Sequence, residues 1–365
     1  MLSGMRPTGK LHLGNFVGAL ENWLHLQNQY ECFFFIADWH ALTSDFADTS
    51  DVAGNTLEVA TDWLAVGLDP ARSTLFVQSQ VPEHAELHLL LSMITPTPWL
   101  LRNPTIKEQA REMGLISSED ESEVSKINYG LLGYPVLQAA DILIYRANYV
   151  PVGEDQVPHV ELTREIARRF NGFYSLAAGR TVLPEPEVLL TPTPKLAGLD
   201  GRKMSKSYGN AIELGESRES IRAKVSTMLT DPQRVRRSDP GRPEICPVFG
   251  YHRRFSTESV IEQVDQECRS AKIGCVDCKA LMAEHLNRSL APIRERRQAY
   301  AAKPKDVWDI LVAGSEGARR VACDTMQQVR EAMKLIPKLQ PSESPPAPRR
   351  RQRARRLVRE AKTAP

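Results

Sequence analysis

At 365 residues the chain is longer than one ordinary hydrophobic core organises and suits about two. Its 42% apolar and 25% charged residues exclude disorder over the whole length, and no apolar run approaches the ~18 residues of a membrane span. The formal charge of +2 hides an asymmetry: Pro341 to Pro365 holds eight Lys/Arg and two Glu, so the first 340 residues carry −4 and are no basic coat for nucleic acid.

The opening MLSGMRPTGK is not a charged stretch leading into an apolar run, so no secretory leader is expected. Six cysteines are no disulfide framework, which predicts a reducing, cytoplasmic setting. Asn15 to Tyr30 has helical periodicity, with Phe16, Leu20, Trp23 and Leu24 on one side. Cys32 to Ala37 is a uniformly apolar, buried strand. A helix around Thr56 to Val66 precedes a second strand, Ser73 to Val77. His84 to Ile94 reads as a helix, and Asp141 to Tyr145 belongs to another. Val150 to Val152 is a short strand stopping at Gly153, and His159 to Phe170 a clear helix. This alternation predicts an α/β fold, a doubly wound parallel sheet with helices on both faces.

From about Glu213 the strand signals stop. Helices are predicted over Glu213–Leu229, Glu258–Ala271, Lys279–Tyr300 and Lys305–Leu335, giving an all-helical second domain. The segment after Pro337 is Pro- and Arg-rich and reads as disordered. Its basic run is either an RNA-attracting arm or a solvated tail of no specific role.

Two loops carry phosphate chemistry. Pro7-Thr8-Gly9-Lys10-Leu11-His12-Leu13-Gly14-Asn15 opens a helix: glycine admits close backbone approach, free N–H groups attract anions, and His12 and Asn15 can donate to a polyphosphate. Such a turn alone is a common way to start a helix. Gly201-Arg202-Lys203-Met204-Ser205-Lys206-Ser207 sets two lysines three apart among small hydroxyl residues, a cationic loop suited to departing pyrophosphate. As a bare charge cluster it would more often be a solvated loop. As the string KMSKS, about 190 residues after an HxGN, it is highly specific.

At this pair the chain resembles the class I aminoacyl-tRNA synthetases, whose signatures are HIGH and KMSKS. His12-Leu13-Gly14-Asn15 stands in for HIGH, with Asn15 replacing the last histidine, as is common in the tryptophanyl branch. Two further strings narrow the branch. Tyr134-Pro135-Val136-Leu137-Gln138-Ala139-Ala140-Asp141-Ile142-Leu143 places an acid in an apolar helix, costly to bury unless it meets a donor. Such an Asp could be salt-bridged in the core, or could select an indole N–H, which only donates. Pro151-Val152-Gly153-Glu154-Asp155-Gln156, followed by His159-Val160-Glu161-Leu162-Thr163-Arg164, puts glycine and then polar residues at a strand's carboxyl end, where open α/β sheets bind ligands.

Together with Ser3-Gly4 and Ala37-Asp38-Trp39-His40-Ala41, these strings are close to the tryptophanyl-tRNA synthetase pattern over about residues 1 to 335. The resemblance implies a Rossmann-like catalytic domain with a connecting insertion over 1–200 and the KMSKS loop at 201–210. A helical anticodon-binding domain over 211–337 and a disordered tail at 338–365 complete it. It makes Asp141 the indole N–H reader, Tyr134 and Gln156 contacts to the amino acid's polar end, and His40, Val150 and Val152 pocket walls. Arg6, Pro7, Thr8, Gly14, Asn15, Gly153, Glu154, Asp155, Leu196, Lys203, Met204, Ser205, Lys206 and Ser207 become ATP contacts, and His12, Asn15, Lys203 and Lys206 the catalytic set. The chain departs from the pattern at Gln138, where many relatives have Met. It departs again at Gln109, where many have a third ATP-side lysine, with Lys107 two residues earlier.

Cys246, Cys268, Cys275 and Cys278 form C-x21-C-x6-C-x2-C, four of the six cysteines within 33 residues. Four thiolates in a reducing compartment point to a metal centre, and spacing alone leaves zinc and iron–sulfur open. A subset of tryptophanyl enzymes has C-x22-C-x6-C-x2-C holding a 4Fe–4S cluster next to the anticodon-binding surface. The resemblance therefore implies 4Fe–4S, with Zn²⁺ as the alternative. Cys32 and Cys323 look structural.

The reaction so implied joins L-tryptophan to ATP as tryptophanyl-adenylate and transfers it to tRNA(Trp). Catalysis would be positioning plus charge stabilisation, with Lys203, Lys206 and phosphate-borne Mg²⁺ neutralising pyrophosphate. A homodimer without membrane attachment is expected. Tyrosyl-tRNA synthetase is the nearest rival, since it too reads its substrate with an Asp in a YPxxQxxD helix. Its relatives of that type carry a segment before the PSG turn for which this chain leaves no room, and GEDQ favours tryptophan. A catalytically silent RNA-binding paralogue would not need intact KMSKS, GEDQ and HxGN. A nucleotidylyltransferase would not explain the Asp141 helix.

Overall fold

The computed structural model describes residues 1–118, 120–190 and 196–335; the expected tail over 338–365 lies outside them. Strand β2 (Cys32–Ile36) is apolar and buried at every position, as a central strand covered on both faces must be. It pairs in parallel with β1 (Leu2–Met5), Gly4 opposite Phe35, and with β3 (Ser73–Val77), Phe34 opposite Leu75. Strands β4 (Tyr149–Val152) and β5 (Glu187–Leu190) form a second parallel pair. β4 lies beside β1, so the order across the molecule is β3-β2-β1 followed by β4-β5. The order reverses between β1 and β4, the place where open α/β sheets leave a crevice.

Parallel neighbours need long crossovers, and helices supply them. The first begins as one turn, α1 (Leu13–Asn15), widens into a π turn over Phe16–Leu20 and continues as α2 (Glu21–Leu26). The helix expected to reach Tyr30 is thus interrupted and stops at Leu26. Helices α3 (Asp38–Asp45) and α4 (Val52–Val66) lead from β2 to β3. Between β3 and β4 come α5 (Glu83–Ser92), α6 (Thr97–Leu101), α7 (Pro104–Glu112), α8 (Glu121–Val124) and α9 (Tyr129–Ile144). Helix α10 (Val157–Ala178) joins β4 to β5. The rest of the described chain is helical, with α11 (Arg218–Thr227), α12 (Pro247–Phe255), α13 (Glu258–Arg269), α14 (Cys275–Ala301) and α15 (Pro304–Ala332).

Side chains of a strand alternate between faces, and β2 divides the core accordingly. Phe33 and Phe35 pack with Leu87 and Leu91 of α5, Ala139 and Ile142 of α9, and Ala318, Ala322 and Met326 of α15. Cys32, Phe34 and Ile36 pack on the other side with Val59 and Trp63 of α4, Met282, Leu286 and Leu290 of α14, and Val307 and Ile310 of α15. The late helices therefore return to the sheet and complete both of its faces. Phe249, Val264 and Ile273 form a small third cluster under α12 and α13. Among the described residues no helix is long and apolar enough to cross a membrane.

Candidate active site

A cavity of about 350 Å3 opens between the carboxyl ends of β1 and β4. Of the residues singled out from the sequence, Arg6, His40, Tyr134, Asp141, Val150, Val152, Gly153 and Gln156 line it, and so do Gln109 and Gln138. Asp141 comes from α9, whose other residues nearby are apolar, and is fully buried. Three donors meet its carboxylate. Gln78 Nε2 donates to Oδ1 at 2.8 Å, His84 Nδ1 lies 2.6 Å from Oδ1, and His40 Nε2 lies 2.8 Å from Oδ2. Burial alone would raise the Asp141 pKa, but the bonds from His40 and His84 outweigh it and hold the acid at about 2. It is a buried, ionised acceptor at the cavity wall.

Tyr134 is about two turns earlier on the same helix. Its hydroxyl stands 2.6 Å from His159 Nε2 on α10. Burial pulls His159 down to about 4 and pushes the Tyr134 phenol up, so a neutral imidazole accepts from an intact O–H. Gln156 reaches the cavity from the turn after β4, its Nε2 donating to Asp155 Oδ2 at 2.9 Å.

The two phosphate-type loops meet although nearly 200 residues separate them. Leu13 N–H donates to the Ile212 carbonyl and Leu214 N–H to the Leu11 carbonyl, each at 2.9 Å, which brings the chain after KMSKS alongside the first loop. Gly14 N–H points at Met204 Sδ, 3.4 Å away. Lys206 Nζ donates to the carbonyl of Lys10 at 2.8 Å and to that of Thr8. Gly9 has a φ of +81°, and a Cβ there would stand 2.9 Å from Asn55 Oδ1 and 3.4 Å from Lys206 Nζ, so only glycine fits the turn. His12 and Asn15 cap each other: His12 N–H donates to Asn15 Oδ1 at 3.0 Å and Asn15 N–H to His12 Nδ1 at 3.3 Å. Burial, then the nearby Lys206 charge, lowers the His12 pKa to about 4, so the ring is neutral.

Asn210 braces the lysine loop. Its Oδ1 accepts from Ser205 N–H at 2.8 Å, and its Nδ2 donates to Asp200 Oδ1 at 2.7 Å and to the Lys203 carbonyl at 3.2 Å. Ser205 and Ser207 hydroxyls lie 2.8 Å apart, and Lys203 itself is exposed. Three residues stand apart from this constellation. Glu154 and Asp155 are exposed beyond the cavity, and Leu196 lines a separate notch with Val17, Pro247 and Arg253.

Sequence reasoning missed the groups behind the site. Gln78, His84 and Tyr145 carry no motif; the signal available was that a buried acid needs donors. Asp62, fully buried on α4, accepts from Leu11 N–H at 2.6 Å and from Arg297 Nε of α14 at 2.6 Å, pinning the first loop from below.

The four cysteines of the C-x21-C-x6-C-x2-C string lie in one region of the helical half. Cys246, Cys268, Cys275 and Cys278 are free, and all but Cys275 flank the small cluster under α12 and α13. Among the described residues, however, no three His, Cys, Asp or Glu side chains stand at metal-ligating spacing. Each of two thiols has a separate partner: Arg234 Nη1 lies 3.6 Å from Cys268 Sγ, and His252 Nε2 3.5 Å from Cys278 Sγ. Four sulfur donors suit a thiolate-loving metal, although burial and then the charges of the other three cysteines push Cys278 up to about 12 and so favour its thiol. The sulfurs thus share a neighbourhood without closing on one point.

A split parallel sheet, a glycine turn at one strand end and a lysine loop laid across that turn define a class I aminoacyl-tRNA synthetase. Residues 1–291 match the profile described as tRNA synthetases class I (W and Y), and the chain belongs to that family. It is 53% identical over 338 residues to the tryptophan–tRNA ligase of Thermotoga maritima, covering 92% of this chain and 99% of that one. It is 46% identical over 397 residues to the tryptophan–tRNA ligase of Aquifex aeolicus, with 92% and 99% covered. Among solved structures, tryptophanyl-tRNA synthetase from Campylobacter jejuni complexed with ADP and tryptophan superposes with a TM-score of 0.81. That pair shares 33% identity, over 91% of this chain and 99% of that one.

Proposed function

We infer that this protein is a tryptophan–tRNA ligase. It activates L-tryptophan with ATP to tryptophanyl-adenylate and pyrophosphate, then esterifies the 3′-terminal adenosine of tRNA(Trp). The observation that carries the choice of amino acid is Asp141, an ionised and buried acceptor at the wall of the cavity. An indole N–H adds a donor to such an acceptor at the cavity wall, which phenylalanine cannot supply.

In the activation step the tryptophan carboxylate attacks the α-phosphorus in line, forming a P–O bond as the bond to the β-phosphate bridge breaks. The side chain lies against His40, Val150 and Val152 with its N–H on Asp141. Tyr134 and Gln156 take the α-amino end. His12, Asn15 and the backbone from Arg6 to Gly14 hold the phosphates, with Gly153 beside the ribose. The neutral His12 ring can donate to phosphate without a charge of its own. Lys203 and Lys206 meet the negative charge that grows on pyrophosphate, an effect that counts most where water is excluded. Mg²⁺ arrives on the phosphates as part of the nucleotide. Glu154, Asp155 and Leu196 join the ATP contacts only if the loops move toward the cavity.

Residues 211–337 serve as the anticodon-binding part, built onto the catalytic sheet through α14 and α15. The functional unit is a homodimer without membrane attachment, at work in the cytoplasm. Helices α5, α9 and α10 pack together and leave Leu89, Met93, Tyr129 and Phe173 exposed, an apolar face suited to a second copy. The four cysteines hold a 4Fe–4S cluster, zinc being the alternative, once Cys268 and Cys278 turn from Arg234 and His252. Support for this is their shared neighbourhood and spacing. Anaerobic purification should give a protein absorbing near 400 nm with about four irons per chain; colourless protein binding neither iron nor zinc would end this part of the reading.

ATP–pyrophosphate exchange tests the whole. Tryptophan should support it at far lower concentration than tyrosine. Preference for tyrosine would make this the tyrosyl enzyme, and no exchange with any amino acid would make it a silent RNA-binding relative.

A further inference from the structure

The Asp141 carboxylate has a front and a back. His40, at the front, lines the cavity with Asp141 and engages Oδ2. Gln78 and His84, at the back, engage Oδ1; both are fully buried and neither lines the cavity. Behind them stands Tyr145, its hydroxyl 2.7 Å from His84 Nε2. Tyr145 is the residue after α9 ends, only four beyond Asp141, so one helix end carries both termini of the chain Tyr145–His84–Asp141.

With a neutral His84 ring the donors along that chain run one way. The carboxylate only accepts, so the proton sits on His84 Nδ1. Nε2 is then an acceptor, and Tyr145 O–H donates to it. Burial raises the Tyr145 pKa well above its ordinary value, which keeps that hydroxyl a donor. Turning the His84 ring would break both bonds at a fully buried position. Gln78 lacks such an anchor, because its Oε1 has no partner among the described residues.

We propose that His84, braced by Tyr145, is a specificity-positioning residue: it holds Oδ1 from behind and so fixes the orientation in which Oδ2, beside His40, faces the N–H of the substrate ring. This rests on the reading of Asp141 as the N–H reader. A carboxylate free to rotate could find other donors when the ligand brings none, and discrimination would fall. Held by His84 it cannot turn toward another donor, so a ring lacking N–H covers Oδ2 without giving it the hydrogen bond that the indole supplies.

The probe is L-3-benzothienylalanine, in which sulfur replaces the indole N–H. Pyrophosphate exchange gives its KM relative to that of tryptophan in the wild type, His84→Leu, His84→Asn, Tyr145→Phe and Asp141→Ala. His84→Leu should cut the ratio about tenfold, chiefly by raising the tryptophan KM, with kcat and the ATP KM within about threefold of wild type. His84→Asn, whose amide can donate where Nδ1 does, should restore the ratio to within about threefold. Tyr145→Phe should lower it by a few-fold while the fold stays intact, and this variant decides the matter if His84→Leu does not fold. An unchanged ratio in Tyr145→Phe and in any folded His84→Leu, or equal KM rises for both amino acids, overturns the relay. If Asp141→Ala also keeps the wild-type ratio, the reading of Asp141 falls with it; if Asp141→Ala collapses the ratio, only the relay is wrong.

Discussion

Lys206→Ala tests the meeting of the two loops most directly. Its ammonium rests on the carbonyls of Thr8 and Lys10, held where charge would build on departing pyrophosphate. Burial has already lowered its pKa, with Glu213 and Asp62 partly offsetting that, so the site is drier than an open loop. Two energies are at stake. The carbonyl bonds are ground-state contacts at a half-exposed site, where water replaces much of what is lost; their removal should loosen the turn and raise the ATP KM a few-fold. The charge aimed at the leaving group acts in the transition state, and one preorganised donor there is worth ~3–4 kcal/mol. At about 1.4 kcal/mol per factor of ten, kcat should fall roughly 10²- to 10³-fold. Steady-state pyrophosphate exchange, with ATP and tryptophan varied separately, separates the two. Lys206→Arg should recover part of kcat, since it keeps the charge and changes its shape. Thermal melting should hardly change, because the side chain supports no core. A kcat within about threefold of wild type would show that the ammonium is only a structural tie between loops, and the assignment of catalysis to this loop would fail.

Asp141→Ala should raise the tryptophan KM by about 10²-fold or more and leave ATP affinity by calorimetry unchanged; a wild-type tryptophan KM would take the residue out of the pocket. Gly314→Ala should destabilise the fold by about 3 kcal/mol in urea unfolding, because a Cβ there overlaps the Leu75 carbonyl oxygen and must lift α15 off β3, along with the Ser315 Oγ that accepts from Val77 N–H at 3.3 Å. A wild-type midpoint would deny that contact. Stability should depend on pH through His12, His159 and His252, each lowered by burial from 6.5 to about 4. Between those values the unfolded chain binds more protons, so stability is full above pH 6.5 and is lost as the pH falls toward 4; equal unfolding midpoints at pH 7 and pH 5 would contradict their neutral burial.

What the sequence disclosed depended on whether a residue's task leaves a local mark. β2 announced itself because five successive apolar residues have few other uses, and β3 and β4 nearly so. β1 and β5 did not: four residues each, one with a glycine and one with its end side chains exposed, fall below what periodicity can register. The π turn at Phe16–Leu20 keeps helical spacing on either side of it and passed as continuous helix. α12 was invisible because Pro247 and Gly250 read as loop, although Pro in the first turn is a helix start. In the site, HxGN, GEDQ and KMSKS were legible as strings. Asp141 was legible as an anomaly, a charge in an apolar helix. The groups behind it were not, because Gln78, His84 and, beyond His84, Tyr145 come from three places in the chain and look, one at a time, like ordinary core or turn residues.

The return of α14 and α15 to the sheet was the least legible feature, and it changes how the site is understood. An amphipathic stripe says that a helix has a buried face and is silent on what covers it. Here the cover is the catalytic half itself. Arg297, near the end of α14, reaches Asp62, and Asp62 holds the backbone of Leu11 next to His12. Burial raises the Asp62 pKa, and the Leu11 N–H and Arg297 only partly counter it. The acid is therefore costly where it stands, and removing Arg297 would leave it with one backbone donor. A costly group kept beside a phosphate-type turn is better explained by what it fixes than by stability. The turn's shape is set jointly by α4 beneath it, by Lys206 across it and by α14 behind it. The same α14 begins at Cys275, so events at the four-cysteine end and at the ATP turn bear on one 27-residue helix. Arg297 is the group by which this helix reaches, through Asp62, the backbone beside His12.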